Sequence, residues 1–122
     1  MIVEDDAAVR RLAAEVLTQA GYDVLEARDG EDALALMPAH AVPIDLLIAD
    51  VVMPGLTGRE LASRLATVFP NIRVLYTSGY ARATTVSVGI EPNAHFLAKP
   101  FLPSDLLRKV RDVLEDASSV PG

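Results

Sequence analysis

Leu46-Leu47-Ile48-Ala49-Asp50 is the stretch that decides the fold. Its apolar side chains follow one another without a break and stop on a carboxylate. A strand with one wet face alternates apolar and polar residues, whereas a strand without alternation is covered on both faces, as in a parallel sheet between helices. Met53-Pro54-Gly55 must then be loop. Downstream, residues 58–69 read as an amphipathic helix with Leu61, Leu65 and Val68 or Phe69 inward, ended by Pro70. Residues 73–77 read as a strand, followed by the loop Ser78-Gly79-Tyr80. Residues 84–90, rich in β-branched side chains and carrying Gly89, are expected as a marginal helix. Residues 94–98 form the last strand, ending at Lys99-Pro100, and residues 103–117 the last helix, with Leu106, Val110, Val113, Leu114 and Ala117 on one face. Upstream, Ile2-Val3 runs into Glu4-Asp5-Asp6. Residues 7–20 follow as a helix with Val9, Leu12, Ala13, Val16, Leu17 and Ala20 on one face and Gly21 as its stop. Residues 23–27 read as a short strand, Asp29-Gly30 as a turn, 31–37 as a short helix closed by Pro38, and 40–43 as a loop.

Short strands alternating with helices imply one α/β domain with a parallel sheet, right-handed crossovers and helices on both faces. The domain is expected over residues 1–117, with 118–122 as a polar tail or linker. A chain of 122 residues is long enough for a single core, and a hydrophobic share of 51% argues against disorder. The absence of cysteine excludes disulfides, thiolate metal sites and cysteine nucleophiles. The two histidines, His40 and His95, cannot build a histidine-rich metal site. Seventeen acidic residues against eleven basic ones give a net charge of -6, which repels polyanions and argues against nucleic-acid binding. No apolar run is long enough to span a membrane, and the start Met-Ile-Val-Glu-Asp-Asp lacks the basic region of a signal peptide. A cytoplasmic domain is therefore expected.

Folds of this class bind ligands beyond the carboxyl ends of their strands. Those ends carry Glu4-Asp5-Asp6, Asp50, Thr77-Ser78 and Lys99-Pro100. Carboxylates crowded on one rim repel one another unless a cation is present. An all-oxygen ligand set suits Mg²⁺, Mn²⁺ or Ca²⁺ rather than zinc. Such an ion on one side, with Lys99 and the Ser78 hydroxyl on the other, would suit an incoming phosphoryl group. Asp50, at the tip of the most buried strand, is the best candidate for a nucleophile forming an acyl phosphate. Each feature alone has a plainer explanation. An acidic run before a helix caps it and complements its dipole, a strand-end Asp forms a turn, a lone Ser or Lys is a surface group, and Phe96 is core. Their joint occurrence on the tips of different strands is what argues for a site.

At these residues the sequence resembles the receiver domain of two-component response regulators, over essentially its whole length. The resemblance is carried by Glu4-Asp5-Asp6 with Arg10-Arg11-Leu12, by Asp50-Val51-Val52-Met53-Pro54-Gly55-Leu56-Thr57-Gly58, by Tyr76-Thr77-Ser78-Gly79-Tyr80-Ala81, and by Phe96-Leu97-Ala98-Lys99-Pro100-Phe101. It implies a three-layer, doubly wound (βα)₅ sandwich with the flavodoxin-like strand order 2-1-3-4-5. It implies that Asp50 accepts a phosphoryl group from the phosphohistidine of a histidine kinase or phosphotransfer domain. Glu4, Asp5, Asp50 and the backbone carbonyl of Val52 would hold Mg²⁺, or Mn²⁺ in its place, with Asp5 and Asp50 the most direct ligands. Lys99 would contact the phosphoryl group, and its bond to Pro100 is typically cis in this family. Ser78 and Phe96 stand at the switch positions. They would bias the face formed by the 84–90 helix, the last strand and the last helix, where a downstream protein docks, the domain being a monomer or a phosphorylation-linked dimer.

Several residues depart from the common pattern. Phe96 replaces a frequent Tyr and cannot hydrogen-bond outward. Val52 replaces a frequently polar residue and cannot position an attacking water with its side chain. The first strand is short, which suggests a domain cut from a longer protein or a trimmed N-terminus. The Ser78-Gly79-Tyr80 loop and the Gly58-Arg59-Glu60-Leu61 helix start look most like receivers at the C-terminus of hybrid histidine kinases. Three rivals remain. A flavodoxin-like nucleotide binder needs a phosphate-cradling loop where this chain has Glu4-Asp5-Asp6. A small aspartyl-phosphate phosphatase needs a second Asp where this chain has Val52. A pseudo-receiver acting only as a protein-binding module predicts the loss of a strand-end residue, and none is lost.

Overall fold

The computed structural model describes residues 1–36, 43–53, 55–79 and 94–115. Its elements are β1 (Ile2–Val3), α1 (Ala7–Gln19), β2 (Glu26–Ala27), α2 (Gly30–Leu36), β3 (Leu46–Asp50), α3 (Gly58–Val68), β4 (Arg73–Ser78), β5 (His95–Ala98) and α4 (Pro103–Glu115). All strand pairings are parallel, in the order β2-β1-β3-β4-β5. The helix expected over 84–90 and the tail expected over 118–122 lie outside the described residues. No helix among the described residues is long and apolar enough to cross a membrane.

The unbroken run in β3 is explained by where alternate side chains go. Leu47 and Ala49 join a core with Ala33 of α2 and Leu61, Ala62 and Leu65 of α3. Leu46 and Ile48 join the opposite core with Ala13, Ala14 and Leu17 of α1 and Leu106, Val110 and Val113 of α4. Every residue of β3 is buried, because both faces of the central strand are roofed by helices. Asp50 ends this strand in register with Thr77 of β4, and the cores beneath hold that tip in place.

Most element ends lie within one residue of expectation, and the larger departures are the extent of β2 and the inward face of α1. Residues 23–25 precede β2 rather than belonging to it. β2 is an edge strand whose one neighbour, β1, offers two residues to pair with, although Ile2 N–H still donates to Leu25 O at 2.8 Å. The buried stripe of α1 is Ala13, Ala14 and Leu17, while Leu12 is 48% exposed. The buried face is centred on two alanines and Leu17, so it lies to one side of the expected stripe and leaves Leu12 toward solvent. In α3 the choice between Val68 and Phe69 falls to Phe69, which packs on the core, while Val68 is exposed.

Helix ends follow local chemistry. Asp6 caps α1 by accepting from Ala8 N–H and Val9 N–H. Gly21, at φ +101°, closes it in a Schellman turn: Tyr22 N–H donates to Leu17 O at 3.1 Å and Gly21 N–H to Thr18 O at 3.0 Å. Thr57 and Glu60 close a capping box at the start of α3.

Candidate functional site

The carboxyl ends of β1, β3 and β5 bring Glu4, Asp5, Asp50 and Lys99 together. Carboxylate oxygens of Glu4, Asp5 and Asp50 lie within 4.8 Å of one another. Lys99 Nζ reaches into this group, 2.6 Å from Asp50 Oδ2 and in direct contact with Glu4 Oε1. Glu4 and Asp50 are buried, whereas Asp5 is exposed at the rim.

Each side chain is held by its neighbours. Val52 N–H donates to Asp50 Oδ1 at 3.2 Å, so the two oxygens of Asp50 face different donors. Glu4 Oε2 accepts from Asp6 N–H at 3.1 Å. Lys99 N–H donates to Ser78 O at 2.9 Å, and Val51 N–H to Thr77 O at 2.9 Å, which ties the tips of β3, β4 and β5 to one level. The Lys99–Pro100 bond is cis.

The electrostatics follow from this packing. Burial raises the carboxyl of Glu4 above its ordinary value, and the contact with Lys99 offsets only part of that effect. The hydrogen bond shared with Glu4 holds Asp5 below its ordinary value. Burial pulls the Lys99 ammonium down, but its bonds to Asp50 and Glu4 together outweigh this and leave it raised. Lys99 therefore stays charged. One ammonium among the three carboxylates leaves the group short of positive charge when the carboxylates are ionised. The oxygen-only donor set fits a hard divalent cation of the Mg²⁺ type. A nucleophilic carboxylate beside an ammonium and a cation site can accept a phosphoryl group.

Ser78 is buried at the end of β4, level with Ala98 and one residue beyond the Asp50–Thr77 pair. Phe96 lies lower in the sheet, in register with Tyr76, and its ring centroid is 5.7 Å from that of Tyr76 at a tilt of 35°. The two expected switch residues are thus on adjacent strands, with Ser78 near the rim and Phe96 against the core. Val52 is 39% exposed beside Asp50.

Two contributions were not evident from spacing. Gly58 starts α3 so close to β3 that a Cβ there would overlap the carbonyl oxygen of Asp50 and lie 3.3 Å from Val51 Cα. Arg10 Nη1 donates to the backbone carbonyl of Glu4 at 2.9 Å. The available signals were a glycine at a helix start and an arginine one turn after the acidic run.

Comparison with known proteins gives a consistent picture. Residues 1–111 match the family model for the response regulator receiver domain. The chain is 35% identical over 116 residues to the sensor kinase CckA of Brucella abortus, covering 94% of this chain and 12% of that protein. It is 31% identical to the response regulator receiver protein CpdR of Brucella abortus, covering 93% of this chain and 94% of that one. Among solved structures, the receiver domain of the hybrid histidine kinase CckA superposes with a TM-score of 0.77 at 39% identity, covering 93% of this chain and 96% of that one. Apart from the receiver protein, the chain spans half or less of the first curated relatives it matches.

Proposed function

This chain belongs to the response regulator receiver domain family, a component of two-component systems, and from that premise we propose that Asp50 is its phosphoacceptor. The observation that carries the reading is the meeting of Asp50 with the Lys99 ammonium at 2.6 Å and with the carboxylates of Glu4 and Asp5.

The donor is a phosphohistidine on a histidine kinase or phosphotransfer domain. An Asp50 carboxylate oxygen attacks phosphorus in line. The O–P bond forms as the N–P bond breaks, and the imidazole nitrogen leaves with the electron pair. Val52 N–H and Lys99 fix the carboxylate by opposite oxygens, so it approaches in one orientation. Lys99, kept charged by its partners, moves from the carboxylate toward the transferring group and balances its charge. Glu4, Asp5, Asp50 and the Val52 carbonyl would hold Mg²⁺, or Mn²⁺ in its place, which when bound supplies positive charge to the phosphoryl oxygens. The buried Ser78 hydroxyl turns toward the new phosphoryl group and Phe96 follows behind it. The face that includes β5 and α4 then changes its affinity for a downstream protein. The exposed Val52 side chain offers no acid or base to a hydrolytic water, which favours a signalling role over that of a phosphatase. The similarity to the receiver domain of the hybrid histidine kinase CckA supports a place as the receiver of a hybrid histidine kinase, and a cytoplasmic position in a phosphorelay is part of the same proposal.

The test is intact mass after incubation with Mg²⁺ and acetyl phosphate, beside Asp50→Asn. A single phosphoryl adduct is expected on the wild type only, and chelator should abolish it. Equal incorporation in Asp50→Asn would reject Asp50 as acceptor.

A further inference from the structure

The proposed chemistry gives Arg10 no task, yet its side chain is only 17% exposed, whereas that of its neighbour Arg11 is 71% exposed. Its guanidinium makes two different contacts. Nη1 donates to the Glu4 carbonyl at 2.9 Å, and Nε lies 3.5 Å from Glu26 Oε1 on β2. On its other side, the Glu4 backbone N–H donates to Ala27 O, also at the β2 edge, at 3.1 Å. The Glu4 backbone is therefore clamped at both ends, by the β2 main chain and by an arginine itself braced on β2. The clamped carbonyl belongs to the peptide unit that leads into Asp5. Rotation of that unit would swing the exposed Asp5 carboxylate away from those of Glu4 and Asp50.

We propose that Arg10 is a positioning residue for the divalent-cation site, fixing the Glu4–Asp5 peptide so that the Asp5 carboxylate stays within ligating range. This rests on the reading of the acidic cluster as a cation site. A planar fork can serve a carbonyl and a carboxylate at once from one rigid group, which a lysine ammonium cannot reproduce.

The sign of the effect separates positioning from charge. Arg10 is a cation near a cation site. If it acted through its field alone, removing it would tighten Mg²⁺ binding, and Arg10→Lys would change nothing. Positioning predicts that both substitutions weaken binding. The experiment is a calorimetric Mg²⁺ titration of the whole chain without phosphodonor, for wild type, Arg10→Met, Arg10→Lys, Arg11→Met and Asp5→Asn. Arg10→Met should weaken Mg²⁺ about tenfold, the scale seen when a partner that orients a metal ligand is lost. Arg10→Lys should weaken it in the same direction, and Arg11→Met should leave it unchanged or slightly tighter. Urea unfolding without Mg²⁺ checks the fold. A purely structural Arg10 would lower the urea midpoint and leave the Mg²⁺ affinity of the folded chain intact. Should Arg10→Met not fold, Arg10→Lys decides by the same criterion. Wild-type affinity in the Arg10 variants, with binding lost in Asp5→Asn, would overturn this proposal alone. No Mg²⁺ binding by the wild type would instead overturn the cation-site reading on which it rests.

Discussion

The starts of α1 and α3 are built from similar parts, with a polar N-cap and a glutamate whose carboxylate accepts the N-cap's own N–H. In α3 the glutamate is Glu60, exposed, taking Thr57 N–H at 3.0 Å while Thr57 Oγ1 takes Glu60 N–H at 3.1 Å. In α1 it is Glu4, buried, taking Asp6 N–H with Oε2 while Oε1 contacts Lys99. The first arrangement closes on itself. The second uses Asp6 and one oxygen of Glu4 for capping, and directs the other oxygen, with Asp5 beside it, toward Asp50 and Lys99. Helix capping therefore explains Asp6 and one oxygen of Glu4, and leaves Asp5 and the other oxygen of Glu4 to be explained by the cluster. An acidic run before a helix signals a site when its carboxylates outnumber the capping duties.

The largest effect that could break this contrast comes from Lys99→Ala. It removes the ammonium faced by both Glu4 and Asp50. Leaving buried carboxylates without a cation should destabilise the Mg²⁺-free chain by on the order of 2–4 kcal/mol. Added Mg²⁺ should bind and restore more stability than in the wild type, while the response of the β5 and α4 face to a phosphoryl mimic weakens. Urea denaturation with and without Mg²⁺ reads the first effect. An unchanged midpoint would mean that water screens the cluster, and that the two helix starts differ less than their geometry indicates.

Gly58→Ala comes next. The start of α3 keeps its side chains out of the site but presses its backbone against it, with Gly58 N–H donating to Val51 O at 3.1 Å. A Cβ at Gly58 must push Asp50 and Val51 aside, at about 1–3 kcal/mol. Phosphorylation by acetyl phosphate should slow as well, because the displaced group is the backbone of Asp50, the proposed phosphoacceptor. A variant as stable and as quickly phosphorylated as wild type would show that α3 can retreat from β3 without cost.

Much of this was legible in the sequence for a physical reason. The run 46–50 could be read as a doubly covered strand because burial on both faces removes the polar half of the alternation. The tips could be read because parallel topology puts all carboxyl ends on one side. What could not be read depended on distance rather than pattern. The extent of β2 is set by how much of β1 it can pair with. The inward face of α1 is centred on Ala13, Ala14 and Leu17, and periodicity alone does not rank the small Ala14 above Leu12 for burial. Arg10 stood in the sequence as part of a motif without a task, since its contact is with a carbonyl six positions back.

A smaller and sharper test pairs Thr57→Ala with Asp6→Ala. Each removes an N-cap oxygen and should cost about 1 kcal/mol. The two should part in a Mg²⁺ titration. Thr57→Ala should bind as wild type does. Asp6→Ala should bind more weakly, because the Asp6 N–H that holds Glu4 Oε2 is loosened with the cap. Equal Mg²⁺ affinities would mean that the Glu4 carboxylate keeps its position without help from the Asp6 N–H.

The smallest effect belongs to the carboxylate that closes the box at α3. The backbone hydrogen bond from Thr57 holds Glu60 below its ordinary value of 4.5. A carboxyl lowered by folding contributes stability that is fully present above that ordinary value and is lost as pH falls through the folded one. Glu60→Gln keeps an oxygen that can accept from Thr57 N–H but has no charge to lose. The stability advantage of wild type over Glu60→Gln should therefore hold near neutrality and shrink as the pH drops below 4.5, as read by urea midpoints across that range. Mg²⁺ should leave this difference untouched at every pH, since Glu60 belongs to the self-contained start. A difference that responded to Mg²⁺ would join the two helix starts electrostatically and dissolve the distinction drawn between them.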